Sequence, residues 1–193
     1  MPEGVKMKLL ELRGMPAPVL IDLVHRNGGV LGPAHPCGEK YLSFTNTKRF
    51  YKSPELMKRF DFVEAFNCCE SPESNDGAMK LAEKYGKVKV GGSDSHKTDC
   101  IGKAYTILPE PVTCETELIS MIHKKTKFQV GGTFYTKTTK EKMGKINKIL
   151  AYSFWVYNKS GELLRRHGRN SKMEEENPFD PIDPIELYLQ GKE

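Results

Sequence analysis

Short apolar runs alternating with amphipathic helical segments constrain this chain more than any other feature. The runs are Val30-Leu31-Gly32, the stretch from Asp61 to Asn67, and Val88-Lys89-Val90. Each has the length of a buried strand, with turn-forming residues close by. From Pro18 to Arg26, Val19, Leu20, Leu23 and Val24 recur at helical spacing, and Asn27-Gly28-Gly29 supplies a stop. Ser53-Pro54-Glu55 opens a short helix through Phe60. Ser71-Pro72-Glu73 opens another, in which Ala78, Leu81, Ala82 and Tyr85 keep helical spacing until Gly86. This order predicts an α/β fold with a parallel sheet or barrel and right-handed crossovers. Ligands of such folds gather at the carboxyl ends of strands.

Two strand ends carry groups suited to that role. The first run leads into Pro33-Ala34-His35-Pro36, where two prolines flank His35. The third leads into Gly91-Gly92-Ser93-Asp94-Ser95-His96. Two glycines there predict a sharp turn. Asp94 and His96 lie two apart, so an extended backbone points both the same way. A carboxylate and an imidazole side by side are good ligands for a divalent metal. By spacing alone Asp-x-His is a weak signal that an ordinary turn also explains. The position of His35, Asp94 and His96 at strand ends, with His25, His123 and His167 in helices, favours the metal reading. Glu64 lies in mid-strand, which points to a core or supporting role rather than ligation.

A length of 193 residues predicts one domain with an appendage, long enough for a sizeable core. The net charge of +5 suits an anionic substrate without requiring nucleic acid. Five cysteines, an odd number without a Cys-x-x-Cys, read as reduced thiols of a cytoplasmic protein. No apolar run reaches the ~18 residues of a membrane span.

The stretch from Cys37 to Lys52 reads equally as a substrate-binding lid or a solvated connection, and it carries Lys40 and Arg49. Ala104 to Leu108 is a strand closed by Pro109 and Pro111. Thr113 begins a helix with Leu118, Ile119 and Ile122 on one face and His123 in its last turn, a cation suited to a helix C-terminus. Phe128 to Thr136 sets Gly131-Gly132 among strand formers, without the Lys-Ser/Thr of a nucleotide loop. From Thr139 to about His167 runs a long helical pattern whose polar side is basic, including Lys145, Lys148, Arg165 and Arg166. That face reads as solvated surface, as an attractor of anionic substrate, or as a nucleic-acid contact. An extended acidic tail follows from Asn177 to Pro184.

Ala34-His35-Pro36, Phe62-Val63-Glu64-Ala65-Phe66-Asn67, Leu81-Ala82-Glu83-Lys84-Tyr85-Gly86, Gly92-Ser93-Asp94-Ser95-His96 and Gly102-Lys103-Ala104-Tyr105-Thr106 occur in that order. Together they resemble the C-terminal half of a PHP (polymerase and histidinol phosphatase) domain, over roughly Leu9 to Leu108. The resemblance implies an incomplete distorted (β/α)7 barrel over residues 1–136. Residues 137–193 resemble, more weakly, the C-terminal extension of bacterial members, here a basic helix and an acidic tail. It implies a metal-dependent phosphoesterase using two or three zinc, manganese or iron ions, with His35, Asp94 and His96 as ligands. Such ions polarise a phosphoryl oxygen and activate water for in-line attack. Lys40 and Arg49 are the cations expected to hold the phosphate of a phosphorylated small molecule or nucleotide.

Family members open with a His-x-His motif, and no His-x-His occurs in this chain. A two- or three-metal site needs roughly seven to nine protein ligands, and three are in view. In three-metal members the residues matching these three serve different ions. The chain therefore reads as an N-terminally shortened PHP protein, weak or inactive by itself. A non-catalytic remnant serving as an interaction or nucleic-acid-binding module is the alternative. An unpaired sheet edge would favour a complementing chain or self-association.

Overall fold

The computed structural model describes residues 16–38, 43–95 and 98–135, together with Ser153 and Val156. The chain divides into two compact units, one of residues 1–29 with 145–193 and one of residues 30–144. In the first, α1 (Ala17–Arg26) begins with prolines at its first turn and buries Ile21, Leu23 and Val24. The expected apolar face is thus displaced by about one position, with Val19 and Leu20 only half-buried. Gly28, at φ 70°, closes the helix with Gly29 N–H on the Val24 carbonyl at 2.9 Å. That is the left-handed ending a glycine permits.

In the second unit, a 3₁₀ turn (Phe44–Asn46) leads into α2 (Lys48–Lys52), whose N-cap Thr47 accepts from Phe50 N–H at 3.2 Å. Phe44 holds this segment by edge-on contacts with Phe50 and Phe60, ring centres 5.5 and 5.1 Å apart. The helix expected after Ser53 is a 3₁₀ helix, Pro54–Arg59, burying Leu56 and Met57. Next come β1 (Phe62–Asn67), α3 (Pro72–Lys84), β2 (Val88–Gly92), β3 (Ala104–Ile107), α4 (Glu115–His123) and β4 (Gln129–Gly132). Strands β1 and β2 pair in parallel, with a register shift between Glu64 and Phe66. Helix α3 connects them, lies against β1, and buries Asn75, Ala78, Leu81 and Ala82. Its N-cap Ser71 accepts from Ser74 N–H, and Pro72 takes the first helical position.

The fold is mixed α/β with small sheets. Strands β3 and β4 pair antiparallel in a second two-stranded sheet, so the described sheets are not all parallel. A connection through α4 returns the chain beside β3, and Thr106 meets the first sheet through its side chain. Its Oγ1 accepts from Gly91 N–H at 2.8 Å. No closed barrel exists among the described residues.

Val30-Leu31-Gly32 is a second departure: the segment is extended but is not a strand. Asp61 N–H donates to the Leu31 carbonyl at 2.8 Å and Glu64 N–H to the Pro33 carbonyl at 3.3 Å. The Leu31 N–H goes to the Asp61 carboxylate at 2.7 Å, and Pro33 has no N–H to give. The segment follows β1 through a partial ladder.

Two apolar clusters of this unit lie among the described residues, beside buried Met57, Val63 and Ala82. Val88, Ile122 and Phe128 form one, with Phe62, Val90 and Leu118 against it. Cys68, Cys100 and Tyr135 form the other, flanked by Phe66, Cys69 and Ala104. A fully buried Val63 or Ile122-sized side chain contributes roughly 1.5–3 kcal/mol. None of the five cysteines forms a disulfide. No helix among the described residues is long and apolar enough to cross a membrane. The first fifteen residues, the basic helical pattern save Ser153 and Val156, and the acidic tail lie outside the described residues.

Candidate functional site

Of the groups the sequence singles out, Asp94 follows the carboxyl end of β2 and His35 follows the segment that runs beside β1. His35 sits in a turn closed by Gly38 N–H on its own carbonyl at 3.0 Å, with φ at 28°. The turn is braced from the next segment: Thr45 Oγ1 and Asn46 Nδ2 donate to the carbonyls of Pro36 and Gly38, at 2.7 and 3.0 Å. Glu64 fixes it from β1. Its Oε2 accepts from His35 N–H at 2.5 Å and from Asn67 Nδ2 at 3.0 Å. The imidazole Nδ1 is buried and has no hydrogen-bond partner among the described residues. A buried polar atom without a partner costs about 1–3 kcal/mol, so such an atom marks either a ligand position or a stored penalty.

Asn67 is buried and ties the end of β1 to α3. Its N–H donates to Asn75 Oδ1 at 2.7 Å, Asn75 Nδ2 returns to its carbonyl at 3.0 Å, and its own Oδ1 accepts from Cys69 N–H at 2.9 Å. Glu64 and Asn67 are three apart, which in a regular strand places them on opposite faces. The register shift at Ala65 breaks that alternation and allows the two side chains to meet.

Gly91 and Gly92 do not make the turn expected of them. Both lie inside β2. What they provide is room. A Cβ at Gly92 would overlap Glu64 Oε1 and stand 2.8 Å from its carboxyl carbon. A Cβ at Gly91 would overlap the Tyr105 carbonyl oxygen. The turn comes later, at Asp94, with φ at 44°. The premise of an extended Asp94-Ser95-His96 therefore fails at its first residue, because left-handed backbone breaks the two-residue repeat. His96 lies outside the described residues.

Two thiols hold the chain on either side of Asp94. Cys68 Sγ donates to the Ser93 carbonyl at 3.7 Å, and Cys100 Sγ to Ser95 Oγ at 3.1 Å. Burial pushes the Cys68 thiol above its usual range. Cys69 is pushed up to about 12 by burial, with neighbouring Cys68, Cys100 and Asp94 adding to it. Thiols of this kind stay protonated and act as packing groups and weak donors. Tyr135 closes the cluster: its hydroxyl donates to Asp99 Oδ2 at 2.6 Å and its N–H to the Cys68 carbonyl at 2.8 Å.

Of the residues singled out from sequence, His35 and Asp94 thus stand at the ends of the segments flanking β1, and Glu64 touches the His35 turn and stands against Gly92. Among non-glycine described residues, positive φ occurs only at these two and at Lys125. Arg49 is exposed on α2, and Lys40 lies outside the described residues. The sequence pointed to a supporting role for Glu64. It did not single out Asn67, Asn75, Cys100 or the Cys68 contact. Asn67 and Asn75 flank the strand-to-helix turn, and an amide at each side of such a turn is the signal that was available.

The donor set tests the metal that the resemblance implies. The buried, unpartnered Nδ1 of His35 fits a ligand atom. Yet no three His, Cys, Asp or Glu side chains gather around one point among the described residues. These residues do not make up a complete metal site.

Residues 72–126 match the family model described as PHP-associated. This stretch is similar to a PHP-associated region. It runs from the first residue of α3 to the turn after α4 and includes Asp94. The match bears out the resemblance to the PHP family. His35, Glu64 and Asn67 lie before the matched stretch. No curated protein matches the chain.

Proposed function

We propose that the chain contributes the His35–Asp94 end of a PHP-type phosphoesterase centre, which hydrolyses phosphoesters with metal-activated water. In this reading His35, Asp94 and His96 are ligands, and zinc, manganese or iron the cofactors. Lys40 and Arg49 hold the phosphate of a small molecule or nucleotide. Other ligands, beyond the described residues or in a complementing or identical chain, complete the donor set. The observation that carries the reading is the coincidence at His35. A residue picked from sequence as a ligand has left-handed backbone, an N–H held by Glu64, and a buried imidazole nitrogen without a partner among the described residues. Backbone strain of this kind concentrates at functional sites.

Isothermal titration with Zn²⁺ and Mn²⁺, beside hydrolysis of an aryl phosphate, tests it. His35→Ala and Asp94→Ala are each expected to weaken metal binding by about 10-fold or more, with any hydrolysis falling in parallel. Metal affinity and hydrolysis unchanged in both variants would overturn the proposal.

A second reading, a non-catalytic interaction module, draws on the apolar surface of the second sheet. Tyr105 and Ile107 alternate outward on β3, about half exposed, with Phe134 nearby in sequence to β4 and similarly exposed. Concentration-dependent self-association, abolished by Tyr105→Ser with Ile107→Ser, is the result that reading requires.

A further inference from the structure

The amino ends of β2 and β4 enclose a cavity of about 420 Å³ that the site above does not use. Its walls are unusual in charge. Lys87 and Lys89 come from the start of β2, Lys125 and Lys127 from the turn between α4 and β4, and no Asp or Glu is among the described lining residues. Met79, Val88 and Phe128 supply apolar wall, and Thr126 and Gln129 add polar side chains. The volume is that of a small-ligand site rather than a packing defect.

The four ammonium groups are not equally available. Lys89 Nζ pairs with Glu83 Oε1 at 2.8 Å. Lys87 is half-buried, and its Nζ donates to a neutral acceptor, the Lys58 carbonyl, at 2.7 Å. Burial and the neighbouring charge of Lys125 hold the Lys87 ammonium below its usual range, with Asp61 a smaller opposing influence. Lys125 stands at the helix-terminal position where φ is 54°, a place usually given to glycine. There its N–H and that of Thr126 close α4 on the carbonyls of Ile122 and Met121, both at 2.9 Å. Lys125 and Lys127 are exposed at the rim. Cations gathered around a partly dry cavity repel one another, and a multiply charged anion among them replaces that repulsion by attraction.

We infer that this cavity is a binding site for a small phosphorylated anion, held by Lys87, Lys125 and Lys127 against the apolar wall. A phosphate group meets the requirement better than a single carboxylate. It carries more charge and enough oxygens to accept from several ammonium groups at once. The site is separate from the Asp94 turn. Strand β2 starts at the cavity and ends at Gly92, so the two lie roughly 13 Å apart along the strand. An anion here therefore binds without metal, and this inference does not depend on the phosphoesterase reading.

Isothermal titration of the full chain with inorganic pyrophosphate, in low salt with a chelator present, tests the inference. The chelator removes any metal-bound pyrophosphate from the signal. Saturable binding with Kd near 1 mM or tighter is expected. Lys87→Gln combined with Lys125→Gln is expected to weaken it by about 10-fold or more, and raised salt to weaken it further. If the double variant fails to fold by circular dichroism, Lys127→Glu at the exposed rim decides the matter, with the same loss expected. Absence of saturable binding, or binding retained by the variants that fold, would overturn the assignment.

Discussion

Replacing Gly92 by alanine probes the coupling between β1 and β2 most directly. The new methyl would overlap Glu64 Oε1 and crowd its carboxyl carbon at 2.8 Å. A glutamate with a free end would swing aside at little cost. This one cannot do so freely, because its other oxygen accepts from His35 N–H and Asn67 Nδ2. Overpacking costs about 1–3 kcal/mol. Hydrogen bonds to a charged group contribute about 1.5–3 kcal/mol each when well buried, and the half-buried position of Glu64 argues for the low end. Together these give about 4–6 kcal/mol, a large share of the 5–15 kcal/mol typical of a domain. Urea denaturation followed by circular dichroism measures it. The decisive comparison is a double-mutant cycle with Glu64→Ala. Once the carboxylate is gone, Gly92→Ala should change stability by no more than about 1 kcal/mol, since alanine is otherwise the better strand residue. Gly91→Ala provides the contrast: its methyl meets the Tyr105 backbone carbonyl, which no side-chain truncation moves. An equal cost of Gly92→Ala with and without Glu64 would refute the reasoning.

Other consequences are open to measurement. Asn75→Ala removes two hydrogen bonds to the backbone of buried Asn67 and should cost about 2–4 kcal/mol in urea denaturation, whereas a cost under about 0.5 kcal/mol would mean water replaces the amide. A disulfide reagent near pH 8 should modify exposed Cys114 at least about tenfold faster than Cys68, Cys69 or Cys100, with peptide mass spectrometry reading the order. Tyr135 is raised from 10.0 to about 12, chiefly by its hydrogen bond to Asp99. The folded chain therefore holds that proton where the unfolded chain has begun to lose it, so the contribution is intact below pH 10 and fades as the pH rises toward 12. Tyr135→Phe should flatten the alkaline fall in melting temperature, and an unaltered profile would remove Tyr135 from the account.

What was legible in the sequence was local. The proline, serine and glycine punctuation around α1 and α3 located both helices within about two residues, because caps and stops act through neighbouring backbone groups alone. The alternation of short strands and helices was enough for a mixed α/β fold, and it put His35 and Asp94 after extended segments. Where proximity in space mattered, the pattern misled. Val30-Leu31-Gly32 reads as a strand, but Pro33 lacks an N–H and the Asp61 side chain takes the bond that a ladder would use. Gly91-Gly92 reads as a turn, yet its glycines are there because Glu64 and the Tyr105 backbone approach too closely for a Cβ.

Sequence by itself thus determined the helices, most strands, and the place of His35 and Asp94 at the chain's turning points. Only the tertiary structure decided that Asp94 bends the chain where an extended run was expected, that a bulge lets Asn67 reach Glu64, and that one carboxylate serves the His35 turn while facing Gly92. It also gathered four lysines around one cavity, although Lys87 and Lys125 are far apart in the chain. The physical reason is common to all of these. Capping and periodicity depend on residues within a turn or two, whereas close backbone approach, electrostatic crowding and orphaned polar atoms depend on segments brought together by folding.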